Sequence, residues 1–115
     1  MPVMVIIRAP KVTPQAFEAV HEQVGWDDVP AAGAISHAIA FPNNGAVEVT
    51  VWESRKAFDT YYATRLEPVL RAFGIQLDDI EALDTYSVAV GPPSLAYMVP
   101  AGAEAATASA LEAAH

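Results

Sequence analysis

The chain has 115 residues and no cysteine, and 53% of its residues are hydrophobic while 17% are charged. This length gives one domain with a real core, and this composition excludes a disordered chain. The missing cysteines exclude disulfides, thiolate metal sites and a cysteine nucleophile. Six basic against fourteen acidic residues give a net charge of −8, which argues against nucleic acid or an anionic membrane as a partner.

The sequence carries no targeting signal that we can identify. Residues 3–7 are apolar, but no basic leader precedes them. No stretch approaches the roughly 20 apolar residues of a transmembrane helix. We therefore expect a cytoplasmic protein that has no membrane partner.

The first half of the chain predicts a strand, a helix and a hairpin. Residues 3–7 are a short apolar run rich in β-branched side chains, which predicts a buried strand. Residues 14–24 predict a helix, because Thr13 is a typical cap, Pro14 suits the first helical position and Gly25 is a typical end. Residues 33–41 and 46–52 predict two strands, joined as a hairpin by the turn-forming residues 42–45.

The second half predicts a helix that a proline interrupts. Ser54 is a typical helix cap, and apolar residues follow it at spacings of three and four. Pro68 lacks a backbone donor and disfavours helical backbone at Glu67, so we expect the helix to break there and a short turn to end at Gly74. Residues 80–88 predict the fourth strand.

The order β-α-β-β-α-β predicts an α+β, ferredoxin-like fold. Its four strands form an antiparallel sheet with both helices on one face. We assign this domain to residues 1–91, because Gly91 and two following prolines end it. Residues 92–115 are a Pro/Ala-rich C-terminal tail, which is either a short docked helix or disordered.

The hairpin also predicts which residues share a face of the sheet. A loop with an even number of residues pairs odd positions on one strand with even positions on the other. One face, the small face, then carries Ser36, Ala38, Ala40, Val47, Val49 and Val51. The opposite face, the large face, carries Ile35, His37, Ile39, Phe41, Glu48, Thr50 and Trp52. We expect helices on the small face and a second copy of the chain on the large face, because an apolar patch of roughly 350 Å² seldom faces water.

Several motifs in the chain match the pattern of a known superfamily. They are Val51-Trp52-Glu53-Ser54, Ala57-Phe58, Arg65-Leu66-x-Pro68-x-Leu70, Gly74 and the upstream Gly33-x-x-x-His37. With them, the chain resembles the dimeric α/β-barrel superfamily, in its uncharacterised branch near the antibiotic-biosynthesis monooxygenases. The resemblance implies a homodimer that pairs two sheets into a barrel, with a ligand pocket on the inner face of each sheet.

The superfamily hosts several activities, so the fold does not choose a reaction. It includes cofactor-independent monooxygenases, polyketide cyclases, haem-degrading enzymes and proteins of no known activity. The haem-degrading branch carries an Asn on the first strand and an axial His in the second helix. Residues 3–8 contain no Asn and residues 54–73 contain no His. We therefore expect no haem, and we predict no other cofactor and no metal.

His37 is the candidate general base. An imidazole has an ordinary pKa of about 6.5 and so exchanges protons near neutrality. Among apolar neighbours it needs a hydrogen-bond partner, which Thr50, Trp52 or the diagonal neighbour Glu48 supplies, depending on the register. The competing interpretation is a core histidine bound to a backbone carbonyl or a water.

The other candidates are substrate-binding residues. Glu48 either pairs with His37 or, as we favour, is solvated at the rim beside the hairpin. Thr50 orients the imidazole or the substrate in this hypothesis. Trp52 and Tyr86 form walls for a flat substrate, although core packing explains such aromatics as well. Tyr86 shares the face only if the even positions of the last strand point inward, which the sequence leaves open.

One further histidine stands in a recognisable pattern. Glu18-x-x-His21 places a carboxylate and an imidazole one helical turn apart, which is the spacing of half a di-iron site. The chain has no second copy of this motif. His21 lies at the edge of the apolar stripe of its helix, and we interpret it as a solvated flank.

Three kinds of function remain open at this point, and the third is a small interaction module whose sheet face binds another protein. The first is a homodimeric enzyme acting on a small apolar or aromatic molecule, with His37 removing a phenolic or enolic proton. The carbanion then reacts with oxygen without a cofactor, as a monooxygenase, or closes a ring, as a polyketide-type cyclase. The second is a non-catalytic dimer that carries or senses a hydrophobic ligand, in which His37 is structural.

Overall fold

The computed structural model describes residues 1–89 and 91, and these form one sheet covered by helices. In chain order the elements are β1 (Val3–Ala9), α1 (Pro14–Val24), β2 (Ala34–Ala40), β3 (Ala46–Trp52), α2 (Arg55–Tyr61), a π-helical segment (Tyr62–Leu66), α3 (Glu67–Ala72) and β4 (Asp79–Asp84). The strands lie in the order β2-β3-β1-β4 and all pair antiparallel. The predicted ferredoxin-like α+β fold is confirmed. The predicted tail, residues 92–115, lies outside the described residues.

The first helix begins and ends where its sequence predicts. The Oγ1 atom of Thr13 accepts a hydrogen bond from the backbone N–H of Ala16 at 3.2 Å, and Pro14 follows as the first helical residue. Gly25 ends the helix with a positive φ of 72°, a conformation that costs glycine little. The chain therefore turns sharply after α1 and runs back toward the sheet.

The predicted break at Pro68 is wrong. Glu67 has helical dihedral angles, φ −60° and ψ −42°, and its N–H bonds the carbonyl of Tyr62 five residues earlier. One wide π turn thus joins α2 to α3. Pro68 lies at the start of α3, where a missing N–H donor is tolerated.

The last strand is shorter than predicted, because β4 ends at Asp84. The next residue, Thr85, bonds the carbonyl of Pro2 through its backbone N–H at 3.0 Å and its hydroxyl at 2.9 Å. The backbone bond extends the pairing with β1 by one residue beyond β4. Tyr86 therefore lies beyond the strand.

From Ser36 onward the paired residues of β2 and β3 lie on the predicted faces, whereas a bulge at the start of β2 takes up Ile35 and pairs Ala34 with Trp52. The orientation of the two faces is reversed. His37 pairs with Thr50 and Ile39 with Glu48, so the loop between the paired residues Ala40 and Val47 has an even number of residues. However, the large face lies beneath the helices, and the small face is bare in a single chain. The helices stand far enough from the sheet to need bulky side chains between the layers, and small side chains there leave voids.

The core follows from this arrangement. Val3, Val5 and Ile7 of β1 form one buried cluster, in which Trp52 packs against Phe58 of α2. Val20 and Val24 of α1 form a second buried cluster with Leu66 and Leu70 of the other helical region. None of the helices in residues 1–89 has the length and apolar character that a membrane crossing needs.

Candidate functional site

A cavity lies between the helices and the large face of the sheet. About 60 Å³ of it is open to the centres of water molecules, several times the roughly 10–15 Å³ that one water needs. Its lining is apolar except for three side chains, which are His21, Glu48 and Tyr61. In the composition of its lining, apolar with a few converging polar groups, the cavity is similar to a small-molecule site.

Glu48 lines this cavity and forms a hydrogen-bonded pair with His37, which is not itself a lining residue. The Nε2 atom of His37 lies 2.9 Å from the Oε2 atom of Glu48, and the two side chains are 21% and 19% exposed. Glu48 pairs with Ile39 across the strands, so it reaches His37 along the diagonal. The predicted pairing is confirmed, and the solvated rim position that we favoured for Glu48 is wrong.

The partner of His37 decides which of its nitrogens is basic. An ionised carboxylate accepts hydrogen bonds and cannot donate them, so the shared proton belongs to Nε2. The Nδ1 atom then keeps its lone pair and can take a proton. The hydrogen bond to the carboxylate of Glu48 holds the ring in one orientation, as the acidic residue of a catalytic triad does.

His21 also lies at this cavity, so the interpretation as a solvated flank is wrong. Its side chain is 21% exposed, and its Nε2 atom lies 3.1 Å from the Oδ2 atom of Asp27. Its ring stacks on His37 with the centroids 6.0 Å apart and on Phe17 at 5.2 Å. Phe17 precedes His21 by four residues on α1, and this spacing places the two rings on one helix face.

Trp26 completes the aromatic surroundings, and the sequence analysis missed it. Its ring centroid is 5.6 Å from that of His37, and it meets Trp52 and Tyr61 edge to face at 5.8 and 5.3 Å. Trp26 follows Gly25 in an irregular segment with no periodicity to place it. The signal that was available is its size, because a tryptophan in a polar loop seldom remains in solvent.

Thr50 and Trp52 are buried in the core and neither lines the cavity. The indole N–H of Trp52 donates to Thr50 Oγ1 at 2.8 Å, and Trp52 is fully buried. Thr50 thus serves the indole of Trp52, and Glu48 bonds the imidazole of His37 in its place. The structure does not bring Tyr86 to the site, because this residue follows β4 and is fully exposed in the single chain.

Tyr61 is a second residue that the sequence analysis did not select. Burial raises the pKa of its phenol, the nearby Glu48 carboxylate raises it further, and Arg65 lowers it. The Arg65 guanidinium lies 5.8 Å from the centroid of the Tyr61 ring and donates from Nη2 to the carbonyl of Val24 at 2.9 Å. The phenol is therefore a neutral hydrogen-bond donor at the cavity.

A metal centre finds no support in the described part of the chain. Residues 1–89 hold no group of three or more His, Cys, Asp or Glu side chains arranged to bind a metal ion. Of the side chains that line the cavity, Glu48 is paired with His37 and His21 is paired with Asp27.

Comparisons with known proteins find similarity in structure and not in sequence. No family model and no curated protein matches the chain. The structure of Rv0793 from Mycobacterium tuberculosis is 18% identical, with a TM-score of 0.59 over 78% of this chain and 100% of that one. An antibiotic biosynthesis monooxygenase candidate from Chloroflexus aurantiacus is 13% identical, with a TM-score of 0.55 over 79% and 100%.

SnoaB from Streptomyces nogalater, a cofactor-independent oxygenase seen as its N63A mutant, is 17% identical, with a TM-score of 0.55 over 76% of this chain and 94% of that one. The fold is that of the antibiotic-biosynthesis-monooxygenase-like proteins. At these identities the likeness extends to the fold alone. The predicted resemblance to this group is confirmed at that level.

Proposed function

We propose that this protein is a cofactor-independent oxygenase that acts on a small, neutral aromatic molecule with a weakly acidic C–H or O–H group. His37, held by Glu48, removes that proton. The observation that carries the proposal is the 2.9 Å His37–Glu48 pair beside an apolar cavity. General-base catalysis by such a pair contributes roughly 10²–10⁴-fold to a rate.

The lining of the cavity indicates the class of substrate. Phe17, Val20 and Ile39 are among the side chains that surround it, and they favour an apolar ring system. The Glu48 carboxylate repels anions, so a neutral weak acid is preferred to a carboxylate or a phosphate. The protonated phenol of Tyr61 is placed to donate to an oxygen of the substrate once that oxygen gains negative charge.

The reaction with oxygen needs no external reductant. His37 takes one proton from a CH₂ group, and the carbanion gives its electrons to O₂ to form a carbon–oxygen bond. The hydroperoxide then loses water and leaves a carbonyl. Overall, R₂CH₂ + O₂ gives R₂C=O + H₂O, so the substrate carbon is oxidised and oxygen is reduced. The structural likeness to SnoaB, named a cofactor-independent oxygenase, supports this choice over ring closure.

The test uses anthrone, a neutral aromatic ketone whose CH₂ group is acidified by its rings and carbonyl. We expect the wild type to consume one O₂ per anthrone and to form the quinone, measured with an oxygen electrode and by product analysis. His37→Gln should lower this rate about 100-fold, from the loss of the base. Ser36→Ala is the matched control, because Ser36 precedes His37 on β2, belongs to the opposite face and is exposed.

Two outcomes contradict the proposal. Oxygen uptake that is equal in the wild type and His37→Gln removes His37 from the reaction. A wild type that binds anthrone without consuming oxygen supports the alternative, a non-catalytic carrier of hydrophobic ligands, in which the His37–Glu48 pair is structural.

We also propose that a second copy of the chain covers the small face of the sheet. Its centre is apolar, with Val47, Val49 and Val51 partly buried beside Ile6. At one end of the face Arg8 forms ion pairs with Asp79 and Glu81. The face therefore has an apolar centre and carries both positive and negative charges at its margin. The area of a four-stranded sheet face is roughly 350 Å² before side-chain relief, large enough that contact with water is unfavourable. The homodimer implied by the superfamily resemblance is consistent with this surface.

A further inference from the structure

A second histidine–carboxylate pair, from a different part of the chain, reaches the cavity through His21, as the first pair does through Glu48. His21 lies in the last turn of α1, and Asp27 follows that helix, with 3.1 Å between Nε2 and Oδ2. His37 and Glu48 lie on neighbouring strands. We propose that His21, held by Asp27, is the proton donor of the same site and protonates the oxygen that is being reduced. This inference rests on the proposed function.

The two imidazoles are arranged as partners in one site. Their ring centroids are 6.0 Å apart with 27° between the ring planes, and Phe17 stacks on both, at 5.2 Å from His21 and 6.3 Å from His37. Their side chains are equally exposed, at 21% each. His21 lines the cavity directly.

The chemistry of oxygenation needs such a donor. His37 removes a proton from R₂CH₂, and the carbanion combines with O₂ to give a peroxide anion, R₂CHOO⁻. Protonated His21 gives its proton to that anion, and the R₂CHOOH formed loses water to leave R₂C=O. At this stage His37 holds one extra proton and His21 lacks one. Transfer of that proton from His37 to His21 through cavity water restores both, so atoms, electrons and protons balance.

The assignment separates two steps that can be measured apart. Proton removal from anthrone is followed by hydrogen–deuterium exchange of its CH₂ group in D₂O without oxygen, by NMR. Oxygenation is followed by oxygen uptake. We expect His21→Gln to lower oxygenation at least about tenfold more than it lowers exchange, whereas His37→Gln lowers both together. Asp27→Asn leaves the imidazole of His21 in place. It should also lower the ratio of the oxygenation rate to the exchange rate.

Glu22→Gln is the matched control, because Glu22 follows His21 on α1 and is exposed. It should leave the ratio at its wild-type value. Equal losses of both rates in His21→Gln, or no loss of either, would overturn the assignment and leave His21 as a packing residue. A wild type that does not exchange the proton, or that exchanges it without consuming oxygen, overturns the proposed function itself. A wild type that does both, with equal losses of both rates in His21→Gln, overturns only the present assignment, so the two failures are distinguishable.

Discussion

The hydrogen bond between the Trp52 indole and the Thr50 hydroxyl holds two core side chains in place at 2.8 Å. Thr50→Val keeps the shape of the side chain and removes the acceptor. Because the indole N–H is then buried without a partner, we expect a loss of about 1–3 kcal/mol in the free energy of unfolding, measured with urea. Ser36→Ala should change it by less than about 0.5 kcal/mol. An unchanged stability in Thr50→Val contradicts a structural role for this bond.

Tyr61 makes the free energy of unfolding depend on pH in the alkaline range. Its pKa in the folded protein lies above the ordinary value of about 10. The unfolded chain therefore releases the phenol proton first as the pH rises, and stability falls above about pH 10 by up to about 1.4 kcal/mol per pH unit. Below that pH both states are protonated and Tyr61 adds no slope. In Tyr61→Phe, the free energy of unfolding measured with urea should fall less steeply with pH above about pH 10. An unchanged slope of this free energy against pH contradicts a raised pKa for Tyr61.

The sequence predicted one half of the site better than the other. His37 and Glu48 are on regular strands, so an even-length hairpin was enough to place them on one face. His21 was at the edge of an apolar stripe, and only the angle between α1 and the sheet decides which way such a residue points. Trp26 lies in a loop whose path is set by tertiary contacts. Thr50 faces His37 as predicted, but the neighbouring indole uses its hydroxyl.

At the scale of elements, Gly33 sets how closely the start of β2 approaches α2. It has a positive φ of 85°, its carbonyl accepts a bond from Glu53 at 2.8 Å, and a Cβ there would lie 2.6 Å from the Cβ of Ala57. Gly33→Ala therefore meets both a steric overlap and an unfavourable backbone angle, and should cost more than about 2 kcal/mol.

A double-mutant cycle separates these two causes. Ala57→Gly removes the overlap at a cost of about 1 kcal/mol in helix propensity. We expect the double variant to be more stable than the sum of the single losses by at least about 1 kcal/mol, because the clash exists only when both side chains are present. Additive losses in urea unfolding contradict the close contact.

The continuous helical region through Pro68 shows why the local preference of proline did not predict how the helices are joined. Proline disfavours helix before it, but a π turn shifts the hydrogen-bond pattern, and Leu66 and Leu70 on either side of Pro68 are both buried. Packing of the two leucines against α1 outweighs the local preference. The reversed orientation of the sheet faces also results from tertiary packing. The strand pattern and the hairpin determine which residues share a face, but only the packing of the helices determines which face they cover.

For the whole molecule, the bare small face is the feature that a second copy explains. We expect native mass spectrometry to give twice the chain mass of 12.2 kDa. Val49→Glu places a charge at the centre of this face and should give a monomer, since an unpaired buried charge is costly. Glu22→Lys, on an exposed helix position, should leave the dimer intact. A monomeric wild type contradicts the pairing, and the cavity within one chain is unaffected.

The central claim is that His37, held by Glu48, takes a proton from an aromatic weak acid in the cavity. The most direct measurement is the absorption spectrum of bound 4-nitrophenol, at a pH where the free compound is protonated. We expect the phenolate spectrum with the wild type and with Ser36→Ala, and the neutral phenol spectrum with His37→Gln. A bound phenol that stays protonated in the wild type, or a phenolate spectrum that survives in His37→Gln, would contradict the claim.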